Sequence, residues 1–339
     1  MQGDGKVNQY VRHYVAIVTP FKENFEVDEP ALRKHLRYFM QPGFAGAGGA
    51  VIINPEAGEL FYLSREEKRR NIEITMEECG GKVPVFAGVV DLRTEDAVKV
   101  AVDAKERGVD GLFLIPPIGM MDITTSWDPE KYPEVWIDMA KAELEAADLP
   151  AIVHPVAGRT ATFGIGLPLA PTLLMCREIP NIVGWKMTYS YEGTKIIAKG
   201  LKTLDRHVAV LIATGRYFHE HLSTGILEGT LSGSYNYAME PMMTHLAAWK
   251  KRDVAEACRI WNSGMAELHG YVYSDYSRLH VRYKAATWLR GLIPSPFMRP
   301  PQPEPRKEEV RSLAELLRKS GLSVIENDAI DYVVNRLKR

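Results

Sequence analysis

The sequence contains little cysteine and almost no net charge. Its three cysteines, Cys79, Cys176 and Cys258, are widely spaced in 339 residues, which suits reduced thiols in a cytosol better than a disulfide framework or a zinc ribbon. The 42 basic and 43 acidic residues give a formal net charge of -1, so nothing attracts nucleic acid or an anionic membrane in general. We therefore expect a small-molecule partner.

Long apolar segments are also missing. No apolar run approaches the length of a membrane span, and residues 1–9 lack the apolar core of a signal peptide. The 46% of hydrophobic residues are instead spread over the chain, and together with 25% of charged residues they suit a large globular core. The sequence predicts a cytoplasmic protein with neither a membrane nor a nucleic-acid partner.

Short apolar runs alternate with longer amphipathic ones as far as about Asn236. This alternation is typical of βα units around a parallel sheet, and eight units predict an α/β fold, a closed (β/α)8 TIM barrel, over residues 1–240. The predicted strands are 14–19, 46–53, 83–90, 111–116, 151–155, 182–187, 208–213 and 230–234, and helices are predicted at 28–40, 64–79, 94–107 and 132–147.

The rival fold is an open, doubly wound sheet. It is weakened because no glycine-rich dinucleotide fingerprint follows the first strand, where residues 19–24 read Thr-Pro-Phe-Lys-Glu-Asn. After the eighth strand, residues 241–291 have a helical pattern, a proline-rich break follows at 294–303, and a final helix is predicted at 307–319. Residues 241–339 are thus predicted to form a C-terminal helical extension packed on the barrel.

Lys186 is the most informative residue, because it is the only charge between Glu178 and Glu192 and lies in a predicted buried strand. Strand alternation places Lys186 on one face with Ile182 and Gly184 and points Trp185 the other way. An apolar setting lowers the pKa of an ammonium, and a neutral amine attacks carbonyl carbon. We expect a lysine that forms a Schiff base.

His154 lies near the end of the fifth predicted strand and shares a face with Ile152, so its ring is expected near the barrel rim. An imidazole titrates near neutrality and suits moving a proton to and from an imine. A lone histidine is more often structural, but its place one strand before Lys186 favours a catalytic role.

A tight turn, residues 54–60, follows the second predicted strand. In it, the backbone N–H groups of Ala57 and Gly58 can approach a ligand carboxylate. Glu56 is then either catalytic or a reader of a cationic or hydroxylated group. Glu59 is expected to cap or brace the turn instead of binding substrate.

Several further residues are candidates for substrate binding. Arg159 can hold an acid group by a forked hydrogen bond, with a rim salt bridge as the alternative. Gly215 and Ser234 lie where barrels often bind phosphate, although glycines alone are a weak signal. His219 and His221 look like a metal pair, but residues two apart on a helix face different ways, so no metal site is expected.

The stretch 119–136 is long for a connection between a strand and a helix, and it carries Met120, Met121, Trp127 and Tyr132. Long loops at the carboxyl ends of barrel strands shape a substrate pocket or a subunit contact. A solvated connector is the alternative.

These segments together resemble the dihydrodipicolinate synthase and N-acetylneuraminate lyase family of class I aldolases over nearly the whole chain. Residues 16–21, Ala-Ile-Val-Thr-Pro-Phe, are similar to the family's first strand, and residues 184–188, Gly-Trp-Lys-Met-Thr, carry its imine lysine. Residues 150–160 match the segment that normally reads Tyr-Asn-Val-Pro-Ser-Arg-Thr, and 282–301, ending in Met-Arg-Pro-Pro, resemble the C-terminal signature.

The resemblance implies a (β/α)8 barrel, commonly a homotetramer, that acts on pyruvate or another 2-oxo acid without metal or organic cofactor. The chain departs from the family at its site. The family's paired hydroxyl residues fall on Glu56 and Ala57, its tyrosine proton shuttle falls on His154, and Pro117-Ile118 replaces a tyrosine that reaches the neighbouring subunit. A carboxylate at Glu56 would repel a substrate carboxylate by about 1 to 4 kcal/mol at contact distance.

The resulting hypothesis is a lyase in which Lys186 forms an imine with a 2-oxo acid, followed by retro-aldol cleavage, dehydration or a hydratase-aldolase sequence. His154 and Glu56 move protons, and Arg159 holds an anionic end. One alternative is a pyruvate condensation of the dihydrodipicolinate synthase type. Others are a phosphosugar aldolase that uses Gly215 and Gly233, and a silent barrel that binds a metabolite.

Overall fold

The computed structural model describes residues 8–117, 127–226 and 228–337. Ten strands occur in this part of the chain. In order they are β1 (His13–Ala16), β2 (Gly49–Ile53), β3 (Val85–Val89), β4 (Gly111–Leu114), β5 (Ala151–Val153), β6 (Val156–Thr160), β7 (Gly164–Gly166), β8 (Ile182–Met187), β9 (Ala209–Ile212) and β10 (Gly229–Ser232).

Eight of these strands, β1–β5 and β8–β10, are parallel neighbours and close into a barrel in which β1 pairs with both β2 and β10. The predicted (β/α)8 barrel is therefore confirmed. Each predicted strand overlaps an observed one, and most predicted ends extend one to three residues too far, because the apolar pattern continues past the last ladder hydrogen bond.

Thirteen α-helices lie in the described residues. They are α1 (Glu29–Tyr38), α2 (Arg65–Cys79), α3 (Thr94–Glu106), α4 (Glu134–Ala147), α5 (Leu169–Glu178), α6 (Tyr191–Leu201), α7 (Phe218–Ser223), α8 (Tyr235–Lys250), α9 (Val254–Ile260), α10 (Ala266–Val272), α11 (Leu279–Leu289), α12 (Lys307–Lys319) and α13 (Asn327–Arg336). A π-helical turn, Trp261–Met265, joins α9 to α10. None of these helices combines the length and apolar character needed to cross a membrane.

Local sequence explains where the helices begin. Ser64 and Glu67 form a capping box at α2, in which the Ser64 hydroxyl accepts from the Glu67 N–H and the Glu67 carboxylate accepts from the Ser64 N–H. Asp28 caps α1 in a similar way through the Ala31 N–H. These polar caps supply partners for backbone donors that no helical carbonyl can reach.

The C-terminal extension was predicted to end with one helix at 307–319, and α12 occupies those residues. A further helix, α13, follows it and was not predicted; its apolar residues Ile330 and Val334 are buried one helical turn apart. Leu313 and Leu317 of α12 belong to the same continuous core as the barrel strands. The predicted boundary at 240/241 falls inside α8, next to its Pro241, and the division into two domains stays a prediction.

A short antiparallel hairpin, β6–β7, stands above the carboxyl end of β5. The sequence pattern did not predict it, because its residues alternate too briefly to give a strand signal. The three cysteines are unpaired. Of the long connection after β4, Met120 and Met121 lie outside the described residues, whereas Trp127 packs edge-on against Trp136.

Candidate active site

Lys186 lies on β8, with its side chain directed into a cavity at the carboxyl end of the barrel. Gly184 lies two residues earlier on the same face of the strand. A Cβ at this position would lie 3.0 Å from Ile152 Cγ1 and 3.3 Å from Leu211 Cδ1, so glycine leaves room for these two side chains in the barrel interior. The ammonium is 5.5 Å from the ring centre of Phe113. Burial in this setting lowers the pKa of Lys186 to about 8, although the nearby Glu56 charge opposes the shift.

His154 follows β5 and is almost completely buried, with its ring stacked on Phe113 at 5.5 Å between centroids. Its Nε2 lies 3.2 Å from Lys186 Nζ. Burial, reinforced by the Lys186 charge, holds the pKa of His154 well below its usual value. A neutral ring that faces the amine can accept a proton from it.

Glu56 begins a 3-10 turn, Glu56–Gly58, directly after β2. Asn54, which has a left-handed backbone, holds the start of the turn in place. Its side-chain amide donates to Lys68 O, and its side-chain oxygen accepts from the Asn71 amide. Glu56 Oε2 lies 3.2 Å from His154 Nδ1. This pair is not a hydrogen bond, since His154 Nδ1 has no hydrogen-bond partner within the described residues. The contact is therefore electrostatic.

Carboxylate, imidazole and amine therefore form one row, Glu56–His154–Lys186, although they come from three separate strands. A proton taken up at His154 Nε2 would place a positive ring next to the Glu56 carboxylate, which stabilises that charge. The row can thus move a proton away from the lysine nitrogen and return it.

The other predicted residues of the turn have different surroundings. Ala57 lines the cavity, but the Gly58 N–H donates to Pro55 O and faces the turn itself. Glu59 has a left-handed backbone and is fully buried in an ion pair with Lys284, and its second oxygen accepts from the Arg299 N–H at 2.9 Å. Glu59 therefore braces the turn, as the sequence predicted.

Gly215 and Ser234 lie behind the cavity wall. A Cβ on Gly215 would be 2.6 Å from Tyr273 Cε2, and the Ser234 hydroxyl lies 3.2 Å from the Tyr273 hydroxyl. Gly233, the other predicted phosphate glycine, lines the cavity, but a tyrosine ring covers it as well, with Tyr283 Cε2 at 2.4 Å from an added Cβ. Tyrosine rings thus fill the space that a phosphate would need at these glycines.

Arg159 lies on the hairpin β6–β7 and is exposed. It is not among the residues that line the cavity, whereas Val156 and Ile165 of the same hairpin are. His219 and His221 both lie on α7 but face different partners, since His219 is 2.9 Å from His245 and His221 stacks on Tyr191. Within the described residues, no cluster of three potential ligands could hold a metal ion.

Sequence reasoning missed one whole wall of the cavity. This wall comes from the C-terminal extension and consists of Tyr273, Tyr276, Leu279, His280 and Tyr283. A signal was present, because residues 269–283 contain four tyrosines and two histidines, but periodicity could not say which face of the extension would meet the barrel. The cavity, which opens to solvent on one side, has a volume of about 120 Å³.

A larger cavity of about 670 Å³ lies between the connection after β1 and helix α13. It is lined by residues such as Phe21, Trp288 and Tyr332 and contains none of the row Glu56–His154–Lys186. The chemistry therefore belongs to the smaller cavity.

Comparison with known proteins agrees with this architecture. The model of the dihydrodipicolinate synthetase family matches residues 9–320. An uncharacterized DapA-like lyase of Thermofilum pendens is 27% identical over 308 residues, covering 91% of this chain and 96% of that protein. The 4-hydroxy-tetrahydrodipicolinate synthase of Methanopyrus kandleri is 28% identical over 308 residues, covering 91% and 95%.

Solved structures share the fold. Dihydrodipicolinate synthase from Aquifex aeolicus superposes with a TM-score of 0.77 at 23% identity, covering 93% of this chain and 99% of that one. A catalytic lysine mutant of the Ruminococcus gnavus sialic acid aldolase gives a TM-score of 0.74 at 21% identity, covering 92% and 97%. With the family match over most of its length, the chain belongs to the dihydrodipicolinate synthetase family and is a Schiff-base-forming lyase of the class I aldolase type.

Proposed function

We propose that Lys186 attacks the carbonyl carbon of a 2-oxo acid and that His154 and Glu56 carry the protons of this step. The observation that supports the proposal most directly is the row of contacts, 3.2 Å from Lys186 Nζ to His154 Nε2 and 3.2 Å from His154 Nδ1 to Glu56 Oε2. A nucleophile, its base and a group that stabilises the charged base are the components that amine catalysis needs.

The reaction begins with the neutral amine of Lys186, which adds to C2 of the substrate to give a carbinolamine. His154 Nε2 carries the proton released by the nitrogen to the C2 oxygen, and a second proton, drawn from solvent, lets the resulting hydroxyl leave as water and leaves a protonated imine. In retro-aldol cleavage the electrons of the C3–C4 bond flow into this protonated imine while the C4 hydroxyl loses its proton, which gives an enamine and releases an aldehyde. In dehydration the imine first loses a proton from C3 to form the enamine, which then expels the C4 hydroxyl as water after that hydroxyl takes up a proton.

The substrate-binding residues keep separate roles in this proposal. Ala57 lines the cavity and offers its backbone N–H to the substrate carboxylate. Gly58, next in the chain, closes the turn through the hydrogen bond from its N–H to Pro55 O. Gly215 and Ser234 support Tyr273 in the wall. Arg159 holds an anionic group only at the mouth, because it lies on the exposed hairpin.

A second candidate is pyruvate condensation of the dihydrodipicolinate synthase type. It is favoured by relatives such as the Methanopyrus kandleri enzyme, which is called a 4-hydroxy-tetrahydrodipicolinate synthase. The acidic Glu56 and the imidazole of His154 in place of the family's hydroxyl groups argue for a different second substrate. Incubation with pyruvate and aspartate semialdehyde distinguishes the two, since the condensation consumes both.

Borohydride reduction in the presence of pyruvate tests the imine. We expect the mass of the reduced pyruvate adduct on the peptide that carries Lys186, and no adduct in Lys186→Met. Loss of the proton carrier in His154→Gln should slow trapping by about 10²- to 10⁴-fold, whereas the control His221→Gln, altered outside the cavity, should trap at the wild-type rate. A wild-type protein that forms no adduct with any of a broad panel of 2-oxo acids would refute the mechanism and leave a silent, metabolite-binding barrel.

The homo-oligomer and the cytoplasmic location that the sequence suggested are further parts of the proposal. The unpaired state of all three cysteines supports a reducing compartment. Sedimentation of the purified protein tests the assembly, and one of the similar structures is described as a monomeric dihydrodipicolinate synthase variant. A dimer or tetramer is expected.

A further inference from the structure

The wall that the C-terminal extension contributes to the cavity limits the space beside Lys186. The segment 273–283 supplies five side chains to this wall, and the barrel strands supply the opposite side. The resulting volume of about 120 Å³ corresponds to about four water molecules at the volume each has in the liquid. A compound bound at Lys186 therefore has little room to extend.

Most of this wall is held rigidly. The Tyr283 hydroxyl donates to the Tyr273 oxygen, and the Tyr273 hydroxyl lies 3.2 Å from both Ala213 O and Ser234 Oγ. Both rings also fit against the bare backbone of Gly215 and Gly233. Because the rings and hydroxyls are fixed on both sides, the wall cannot retreat to admit a longer molecule.

Tyr276 is the most exposed residue of the wall. It lies in a short 3-10 turn, Tyr276–Arg278, is 40% exposed, and contacts Tyr273 edge-on with 6.4 Å between ring centroids. Its position at the boundary between cavity and solvent makes it the residue whose size decides how far a bound molecule can extend.

Positive charge is scarce in the cavity. Within the described residues, Lys186 is the only lysine or arginine that lines it, while Glu56 supplies a negative charge. Residues 118–126, which lie outside the described part, contain no lysine or arginine in the sequence. Once Lys186 is an iminium, its charge is matched by the carboxylate at C1 of the substrate, and a second anionic group inside the cavity, out of reach of Arg159 at the mouth, would have no lysine or arginine as partner.

We infer that the site is specific for short 2-oxo acids whose far end is uncharged: the wall 273–283 limits the length, and Glu56, with no lysine or arginine besides Lys186 among the described lining residues, disfavours a second negative charge. The inference rests on the proposed imine at Lys186 and adds to it the class of substrate. A second carboxylate would meet the Glu56 charge, and the hydroxyl hydrogens of Tyr283 and Tyr273 are already donated to Tyr273 and to Ala213 O, which disfavours it. A methyl end finds an apolar partner in Leu279, and a hydroxyl end can donate to the Tyr283 oxygen.

Borohydride trapping with matched compounds tests the limit on charge. The two compounds 2-oxopentanoate and 2-oxoglutarate have the same number of carbons and differ in the terminal carboxylate. We expect the wild-type protein to trap 2-oxopentanoate about tenfold or more faster. Equal trapping of both would overturn the inference and would indicate a cation supplied from elsewhere, such as a second subunit. Absence of an adduct even with pyruvate would instead refute the imine itself, so the two failures are distinguishable.

A series of increasing length tests the wall. Trapping should fall by about tenfold or more from 2-oxobutanoate to 2-oxooctanoate in the wild type and in Tyr276→Phe, which keeps the ring, because overfilling a packed site is costly. In Tyr276→Ala the longer compound should regain much of this loss; Leu279→Ala provides a second opening in the same wall. Trapping that does not depend on length in the wild type, or a dependence that neither alanine variant changes, would overturn the assignment of the wall.

Discussion

At the scale of single residues, the reactivity of Lys186 depends on two opposing effects on one amine. Burial disfavours the ammonium and lowers its pKa to about 8, and the Glu56 carboxylate favours the ammonium and limits this shift. The ordinary pKa of a lysine leaves almost no neutral amine near pH 7. The buried position therefore supplies a usable fraction of nucleophile.

The pH dependence of imine trapping follows from this balance. Below about pH 8 the amine is mostly protonated, so the trapping rate with pyruvate should rise with pH and reach half its maximum near pH 8. In Glu56→Gln the charge that favours the ammonium is gone, and the midpoint should move to lower pH. Trapping rates from pH 6 to 10 in both proteins measure this, and a wild-type midpoint near the usual lysine value would contradict it.

At the scale of secondary-structure elements, β9 and β10 meet the extension through glycines. Gly215 follows β9 and Gly233 follows β10, and both allow a tyrosine ring to lie against the backbone. Neither has a positive φ, so the reason for glycine there is space and not backbone conformation. The backbone just after β9 and β10 thus accommodates tyrosine rings from about fifty positions later in the chain.

Replacing these glycines by alanine should destabilise the protein. Gly233→Ala places a methyl group 2.4 Å from Tyr283 Cε2, and overpacking of this kind costs about 1–3 kcal/mol. Gly270→Ala in α10 is the matched control, because no atom lies within 4 Å of its added Cβ and alanine suits a helix better than glycine. Urea unfolding measures both; an unchanged free energy of unfolding in Gly233→Ala would show that the Tyr283 ring can move away.

At the scale of the whole molecule, the barrel and the extension are joined by a buried ion pair. Lys284 of α11 and Glu59, which follows the turn Glu56–Gly58, have fully buried side chains. The Lys284 ammonium also donates to Phe297 O at 2.9 Å and lies 4.2 Å from the ring centre of Phe21. The turn that carries Glu56 therefore depends on the extension for its position.

Lys284→Met should lower the free energy of unfolding by about 3–5 kcal/mol, because it leaves the Glu59 carboxylate buried without its cation. The double variant Glu59→Gln, Lys284→Met removes that charge and should recover part of the loss. Lys319→Met, which breaks an exposed pair with Glu267, should change little. Denaturant unfolding of the four proteins measures these differences, and equal effects of Lys284→Met and Lys319→Met would contradict the coupling.

The sequence by itself determined the barrel, its eight strands and the lysine, because apolar periodicity and an isolated charge are local properties of the chain. It also indicated His154 and Glu56, since strand ends of a parallel barrel meet at one face. Only the tertiary structure decided that His154 lies between Glu56 and Lys186, that Arg159 lies on an exposed hairpin, and that tyrosines occupy the space at Gly215 and Gly233. Those facts depend on how the extension docks on the barrel, and docking is set by side-chain packing between segments far apart in sequence.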